Sequence, residues 1–356
     1  MTSLLLVFGC TPDPAAVESG GPCAGPAAPA IDIEGAVAGT RESATSYAIP
    51  WSGETRDLAL HAWYPTKDTE GEAARWLDLF DDPNSLVDAS FAPINETCLA
   101  PLVVYSHGSQ AWAGNGAPIL RQLVNAGWVA AAPDHTDNLL TQNEDPKPET
   151  FPLLRTLDVK ATIDWIEGLP EDDPLYGRVD TSKVFVFGHS YGGQTSWLLG
   201  GPTFDATAIA TACASSELGC TEAEEAAFAE RAVDPRVVAV APLAGTVGTN
   251  LVADAGWESL DRPVLFMTGS ADGDGTEAFT RAAAGDVTWV ELAGGCHESF
   301  TSTVVPCDLD KTLGLTVAAT YIADFATREV LNSEDATVLG VLDGSVEVDA
   351  IATLQR

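Results

Sequence analysis

Short apolar runs rich in β-branched and aromatic residues alternate with helical segments through most of the chain. Six of these runs are predicted as strands: 102–105, 128–132, 184–187, 237–241, 264–268 and 287–292. Strands that alternate with helices build a mostly parallel sheet with helices on both of its faces. This alternation therefore predicts an α/β fold.

The segments around this core have other patterns. Residues 43–64 contain two extended stretches around a turn, which predicts an antiparallel hairpin at the start of the sheet. An Ala- and Glu-rich segment, 203–235, is interpreted as a small insertion over the carboxyl edge of the sheet, and 309–327 as a covering helix. We expect one domain, 36–330, because α/β folds of this length commonly form one unit. An acidic appendage, 331–356, follows it.

The segment between the second and third predicted strands has the spacing of a half-buried helix. Leu154, Leu157, Ala161 and Trp165 recur at steps of three and four residues, which puts them on one face of the helix. Gly168 is the expected end of this helix, because glycine is common just beyond a helical C-terminus.

The first ten residues form a short apolar run that ends at Cys10. This run resembles a bacterial lipoprotein signal, although no Lys or Arg precedes it and Phe8 is bulky for its position. Residues 11–35 are rich in Pro, Gly and Ala, which is typical of a flexible linker. We expect an exported protein, secreted or tethered to the cell envelope through Cys10. A frayed hydrophobic terminus is the alternative.

The chain is strongly acidic. Asp and Glu outnumber Lys and Arg by 52 to 17, which gives a formal net charge of −35. No basic cluster offers contacts to a phosphate backbone, so nucleic acid is not an expected partner. No apolar run is long enough to cross a bilayer, which leaves Cys10 as the expected membrane tether.

The chain has seven cysteines. With Cys10 set aside as a lipid acceptor, an even number remains in a chain predicted to be exported, which indicates disulfides. Closeness in sequence pairs them as follows: Cys213 with Cys220, Cys296 with Cys307, and Cys23 with Cys98 as the remainder. No pair has the Cys-x-x-Cys spacing of a metal or redox site, so no metal ion is expected.

The most specific motif is Gly188-His189-Ser190-Tyr191-Gly192, which directly follows a predicted strand and precedes a helix-compatible segment. Glycines two positions before and after Ser190 permit the tight strand-to-helix turn that exposes the serine hydroxyl. In this context the pattern predicts a nucleophile elbow, with Ser190 as the nucleophile.

A serine hydroxyl needs a base within hydrogen-bond reach and a carboxylate that orients the base. In folds with such an elbow, the chain order is serine, acid, histidine. Of the five histidines, only His297 follows Ser190, and it is therefore the predicted base. Asp272, a few residues beyond the fifth predicted strand, is preferred over Asp274 as the acid.

Acyl transfer puts negative charge on the carbonyl oxygen, which two backbone amides usually stabilise. The predicted donors are the amide of Tyr191, directly after the nucleophile, and the amide of Ser109, with Gly108 as the alternative to Ser109. His107 and His189 are interpreted as structural residues of the same two turns.

Two tryptophans lie close in sequence to these turns. Trp112 follows the Ser109 loop and Trp197 follows the elbow. They are candidates for the lining of an apolar acyl pocket, although packing in the core explains a tryptophan equally well.

The stretch 101–134, with Ser106-His107-Gly108 and the Ala132-Pro133-Asp134-His135 motif, resembles platelet-activating-factor acetylhydrolases and the dienelactone-hydrolase-like bacterial esterases grouped with them. The likeness continues through the elbow over residues 45–330 and extends to cutinase-like polyester hydrolases. It implies the α/β-hydrolase fold and a serine esterase that favours short-chain or acetyl-type esters and needs no cofactor. The insertion at 203–235 departs from the family pattern.

Other functions are compatible with the same residues. A peptidase, an amidase or a polyester hydrolase can use the same triad, although the sequence has neither an N-terminal propeller nor a large cap. A catalytically inactive surface-binding module or a structural lipoprotein could also retain the fold. The leading prediction is a monomer that acts on a small-molecule or lipid-like ester.

Overall fold

The computed structural model of the chain describes residues 31–273 and 275–356. In these residues the strands are β1 (Ala38–Ala48), β2 (Thr55–Tyr64), β3 (Ala73–Trp76), β4 (Phe80–Val87), β5 (Ala100–Ser106), β6 (Val129–Asp134), β7 (Val179–His189), β8 (Val237–Leu243), β9 (Val264–Gly269), β10 (Val287–Leu292) and β11 (Ala352–Gln355). The helices are α1 (Ala117–Asn125), α2 (Phe151–Glu167), α3 (Tyr191–Leu199), α4 (Ala206–Ser215), α5 (Glu222–Ala227), α6 (Thr276–Arg281), α7 (Lys311–Leu331) and α8 (Ala336–Asp343).

The strands form one sheet in the order β11-β10-β9-β8-β7-β5-β6-β2-β1-β4-β3. The six central strands, from β10 to β6, pair in parallel and correspond to the six predicted apolar runs. Strands β1 and β2 form the predicted antiparallel hairpin. The prediction of a mostly parallel sheet with an antiparallel start is therefore confirmed.

Helices cover both faces of this sheet. Side chains of β5 alternate between two cores: Val103 and Tyr105 pack with α1, α7 and α8, and Leu102 and Val104 pack with α2 and α3. Both faces of β5 are therefore buried, which explains why the strand is apolar at almost every position.

Helix α2 ends at the predicted position, with Gly168 as its C-cap, but its predicted buried face is partly wrong. Leu157 and Trp165 are only half-buried, while the charged residues Arg155 and Asp158 are fully buried. A search for apolar spacing cannot find this face, because its central residues are polar and their partners are distant in sequence.

A second hairpin, formed by β3 and β4, was not predicted. Its turn contains Leu77 and Asp78, both in the left-handed region at φ 52° and 58°, a conformation for which Gly or Asn is the usual sequence signal. The buried ring of Trp76 packs on Trp63 at a centroid distance of 5.3 Å. Trp76 thus anchors one side of the hairpin in the core.

Residues 331–356, predicted as an appendage to a domain at 36–330, contribute a strand to the sheet and side chains to the core. Strand β11 pairs antiparallel with β10, and Val338, Val341 and Leu342 of α8 belong to the core. A strand of four residues has too short a pattern to be recognised from sequence.

The insertion forms α4 and α5, joined by the Cys213–Cys220 disulfide. The Cys296–Cys307 disulfide is present as well. Cys98 is disulfide-bonded, whereas Cys23 and the proposed lipid acceptor Cys10 lie outside the described residues, as does most of the predicted linker. None of the described helices has the length and apolar character needed to cross a membrane.

Candidate active site

Ser190 lies between β7 and α3 in a strained turn. Its φ is 56° and its ψ is −114°, a conformation that few residues other than glycine adopt. A Cβ on Gly192 would lie 1.8 Å from the carbonyl oxygen of Ser106, and a Cβ on Gly188 would lie 2.3 Å from that of Gly192. Glycine is thus required on both sides of the serine, as the elbow motif predicts.

His297 begins a short 3-10 helix after β10, and Asp272 lies in the turn after β9. Their side chains meet, with His297 Nδ1 2.8 Å from Asp272 Oδ2 and 2.9 Å from Oδ1. This hydrogen bond to Asp272 raises the pKa of His297 above its ordinary value of 6.5. The carboxylate therefore favours the imidazolium and leaves Nε2 as the free ring nitrogen.

The competing acid, Asp274, lies outside the described residues. The structure gives Asp272 a direct contact with the imidazole, and the ranking of the two aspartates stays a prediction.

The loop after β5 and the start of α3 lie side by side. A Cβ on Gly108 would lie 3.3 Å from the Cβ of Ser190, so the loop that contains Ser109 runs directly past the serine. Tyr191 is the first residue of α3, where a backbone amide has no acceptor within the helix. Ser109 lines the same cavity as Ser190.

His107 and His189 have structural hydrogen bonds. His107 Nε2 accepts from the amide of His135 at 2.9 Å, and His189 Nε2 donates to the carbonyl of His297 at 2.8 Å. Burial holds the pKa of His107 well below its ordinary value and lowers the pKa of His189 to about 4. Both rings are therefore neutral near pH 7.

Behind the Ser109 loop lies a second chain of serine, histidine and aspartate. Ser106 Oγ lies 2.9 Å from His135 Nε2, and His135 Nδ1 lies 2.8 Å from Asp158 Oδ2. Burial lowers the pKa of His135 to about 3, so its Nδ1–H donates to the carboxylate. All three residues are fully buried, and no substrate can reach Ser106.

Four further residues belong to the same buried group: Arg56, His107, Asn138 and Arg155. Together with Ser106, His135 and Asp158 they form what we call the rear network. Burial opposes ionisation of Asp158, but hydrogen bonds from His135 and Arg56 hold its pKa below the ordinary value. The sequence signal for this network is Arg155-x-x-Asp158, a charged pair on one face of an otherwise apolar helix.

A cavity of about 800 Å³ opens in front of Ser190 and is lined by Ser190, His297 and Ser109. Its outer part, which we call the front wall, consists of four apolar side chains: Phe80 of the β3–β4 hairpin, Trp112, Leu140 and Val304. The rings of Phe80 and Trp112 stack at 4.3 Å with an interplanar angle of 4°. Phe80 is 37% and Val304 is 82% exposed.

The structure separates the two tryptophans that were candidates for the pocket. Trp112 lines the cavity, whereas Trp197 is fully buried, donates to the carbonyl of Gly245 at 3.0 Å and packs edge-on against Trp257. Trp197 is thus part of the core. The insertion at 203–235 contributes no residue to this cavity.

A second cavity, of about 520 Å³, lies beside the His297–Asp272 pair and is lined by Gly245, Thr246 and Arg281 as well. The imidazole is therefore accessible from two sides.

His189, His297 and Glu298 present possible metal-ligand atoms within 4.8 Å of one another. However, His189 Nε2 donates to a carbonyl, and His297 Nδ1 contacts Asp272. Hydrogen bonds account for both histidines, and we assign no metal to the group.

No family model and no curated protein matches the chain. Among solved structures, a ferulic acid esterase from Streptomyces cinnamoneus is similar, with a TM-score of 0.61 and 20% sequence identity over 90% of this chain and 97% of that chain. The chain described here therefore has the α/β-hydrolase fold. The structural similarity establishes the fold, and at 20% identity it does not transfer an activity.

The positions of Ser190, Asp272 and His297 can be compared with the usual places of a triad in the α/β-hydrolase fold. In this fold the nucleophile lies at the turn after a central strand, and the acid and the histidine follow it in the chain. Ser190, Asp272 and His297 occupy these places after β7, β9 and β10. The resemblance to platelet-activating-factor acetylhydrolases and dienelactone-hydrolase-like esterases stays a prediction beyond the fold.

Proposed function

We propose that the protein hydrolyses carboxylic esters through an acyl-enzyme intermediate on Ser190. The observation that supports this most directly is the His297–Asp272 hydrogen bond at 2.8 Å, beside a cavity that both His297 and the strained Ser190 line. A carboxylate, an imidazole that it contacts, and a serine hydroxyl that lines the same cavity as the imidazole are the groups that acyl transfer requires.

In the proposed reaction, Ser190 Oγ attacks the ester carbon and its proton passes to His297 Nε2. Asp272 fixes the tautomer of His297 and stabilises the imidazolium, while the amides of Ser109 and Tyr191 bind the oxyanion. The bond to the alcohol then breaks, and His297 protonates the leaving oxygen. Water attacks the acyl-enzyme with His297 again as the base, which releases the acid and regenerates Ser190.

We assign the acyl group to the 800 Å³ cavity and the leaving alcohol to the side of His297 that faces the second cavity. Cavities of several hundred Å³ hold ligands much larger than an acetyl group. A bulky or aromatic acyl group is therefore a second candidate beside the short-chain esters, favoured by the stacked rings of Phe80 and Trp112. The activity named for the Streptomyces neighbour agrees with this candidate.

The same proposal includes the cellular location. The Cys213–Cys220 and Cys296–Cys307 disulfides support an exported protein, because disulfides persist in oxidising compartments. A tether through Cys10 belongs to this proposal as well.

The test is hydrolysis of p-nitrophenyl esters from acetate to dodecanoate, a hydroxycinnamate methyl ester, a p-nitroanilide and a polyester film. We expect ester turnover in the wild type and a loss of about 10⁶-fold in kcat in Ser190→Ala, with unchanged thermal unfolding. Turnover of the anilide alone would indicate an amidase, and release from the film a polyester hydrolase.

A fluorophosphonate label tests the nucleophile independently of the substrate. We expect the label on the peptide that contains Ser190 and none on the peptide that contains Ser106, whose hydroxyl is buried. A folded wild type that hydrolyses no ester and takes up no label would overturn the proposal in favour of a surface-binding module.

A further inference from the structure

Arg155 is a buried cation for which the described residues provide no ionic partner. Its side chain is fully buried, and no described carboxylate lies within 4.0 Å of its guanidinium. The nearby Asp158 already contacts Arg56 at 2.8 Å and His135 at 2.8 Å. Burial lowers the pKa of Arg155 to about 10, which still leaves it protonated near pH 7. An unpaired buried charge lowers the stability of a fold, so a functional role would explain its presence.

The guanidinium of Arg155 donates hydrogen bonds to the loop that contains Ser109 and to its neighbour Asn138. Nη2 donates to the carbonyl of His107 and, at 3.3 Å, to Ser106 Oγ. Nη1 donates to Asn138 Oδ1 at 2.7 Å, and Asn138 Nδ2 donates in turn to Ser109 Oγ at 3.0 Å. Arg155 therefore constrains Ser109 in two ways. It binds the backbone of the same loop at His107, and it binds Asn138, which contacts the Ser109 side chain.

The same guanidinium contacts the start of α3. Its central carbon lies 5.1 Å from the ring centroid of Tyr191, a distance typical of a cation–π contact. Nε donates to Thr195 Oγ1 at 3.3 Å, and that hydroxyl donates to the carbonyl of Tyr191 at 3.1 Å. One side chain thus connects the two segments that supply the proposed oxyanion amides.

We propose that Arg155 is a positioning residue for ester hydrolysis, which fixes the amides of Ser109 and Tyr191 relative to each other and contributes positive potential to the oxyanion. This inference rests on the proposed function. A fixed charge in a site without water acts most strongly where negative charge develops, which is in the transition state. The ground-state ester is neutral, so loss of Arg155 reduces kcat and leaves KM nearly unchanged.

The test uses Arg155→Met and Arg155→Lys, with Arg56→Met as the matched control. Arg56 is also a buried arginine of the rear network, but its charge is paired with Asp158, and it contacts neither Ser109 nor Tyr191. We expect Arg155→Met to lower kcat by about 10²-fold, the effect of losing one oxyanion donor. Arg56→Met reduces thermal stability and keeps a kcat near that of the wild type.

Arg155→Lys keeps the charge but loses the planar fork that reaches both segments. We expect it to fold and to lower kcat about tenfold, between the wild type and Arg155→Met. Because this variant preserves the buried cation, it provides a result even when Arg155→Met fails to fold. A wild-type kcat in Arg155→Lys would overturn the inference.

A boronic acid inhibitor separates positioning from mere stability. Ser190 Oγ adds to boron and its proton passes to His297, so the boron becomes a tetrahedral anion that resembles the oxyanion intermediate. We expect Arg155→Met to weaken boronate binding by about the same factor as kcat. Unchanged boronate affinity, or a kcat loss equal to that of Arg56→Met, would contradict the role. A wild type that is inactive on all esters would instead contradict the proposed function, and this inference, which rests on it, would fail as well.

Discussion

The rear network and the front wall surround the same serine but are built in opposite ways. The rear network consists of polar and charged side chains that are almost completely buried and hydrogen-bonded to one another. The front wall consists of apolar side chains, of which Phe80, Leu140 and Val304 are exposed. Buried hydrogen bonds specify one geometry, whereas exposed apolar groups present a surface that a ligand can cover.

This difference separates two tasks. Under the proposed function, residues held from behind set the geometry of the reacting atoms and therefore the rate for any acyl group. Residues of the front wall would contact the part of the substrate that does not react and would therefore select which acyl group binds. Under the same proposal, changes in the triad and at Arg155 should therefore affect every substrate, and changes in the front wall should affect only some.

The largest effect that tests this separation is expected in the triad. Asp272→Asn removes the carboxylate that fixes the His297 tautomer and should lower kcat by about 10⁴-fold on every ester. Asp274→Asn should remain close to the wild type. Both are measured by steady-state kinetics with acetate and decanoate esters, and a larger loss in Asp274→Asn would transfer the role of the acid to that residue.

The two described disulfides provide a matched pair for the next effect. Removal of Cys296–Cys307 by serine substitution should lower the free energy of unfolding by about 2–3 kcal/mol. It should also lower kcat at least about tenfold, because the bond adjoins His297 and small displacements of a base are costly.

Removal of Cys213–Cys220 is the control, since the insertion does not line the cavity of Ser190. It should destabilise the protein by a similar amount in chemical denaturation and leave kcat unchanged. Equal loss of activity in both variants would mean that stability, and not the position of His297, accounts for the effect.

A smaller effect, confined to some substrates, is expected in the front wall. Phe80→Ala removes a ring stacked on Trp112 and should raise KM for hydroxycinnamate and decanoate esters about 3- to 10-fold, the equivalent of about 0.6–1.4 kcal/mol. The acetate ester should be unaffected. Leu218→Ala, which removes an exposed apolar side chain (56%) outside the cavity, is the control. An equal change in KM for the acetate ester would contradict the assignment of substrate selection to the front wall.

The smallest effect is in the pH dependence. His297 must be neutral to accept the serine proton, so kcat/KM should rise with pH through the pKa of His297. The hydrogen bond to Asp272 raises that pKa, so the midpoint of the acid limb should lie above 6.5. An acid limb near pH 4 in the free enzyme would indicate His189, whose pKa burial lowers to about 4.

The central sheet and the elbow were predictable because their signals are local. Each parallel strand is an apolar run of a few residues, and the elbow needs glycines at fixed distances from Ser190. For the strands and the elbow, a few neighbouring residues contain all the information required. His297 was proposed as the base by elimination, because it alone follows the serine among five histidines.

The rear network and the front wall depend on residues that are distant in sequence. The contacts of Arg155 are to His107, Asn138 and Tyr191, which approach it only in the folded chain. Its role therefore cannot be inferred from neighbouring residues in the sequence. The β3–β4 hairpin has no Gly or Asn in its left-handed turn positions, Leu77 and Asp78, so the usual turn signal is missing. Long-range packing overrides the local preference there.

The β3–β4 hairpin also bears on how such a protein can change over evolution. Among the strands of the described residues, β3 is at the outer edge of the sheet and pairs with β4 alone. The hairpin tip can therefore lengthen, shorten or exchange side chains without altering the strands that hold Ser190, Asp272 and His297. Edge loops are the parts of a fold that tolerate such variation best. If the proposed function holds, duplicated copies of this chain can diverge in substrate choice through this one hairpin while they inherit an unchanged catalytic triad.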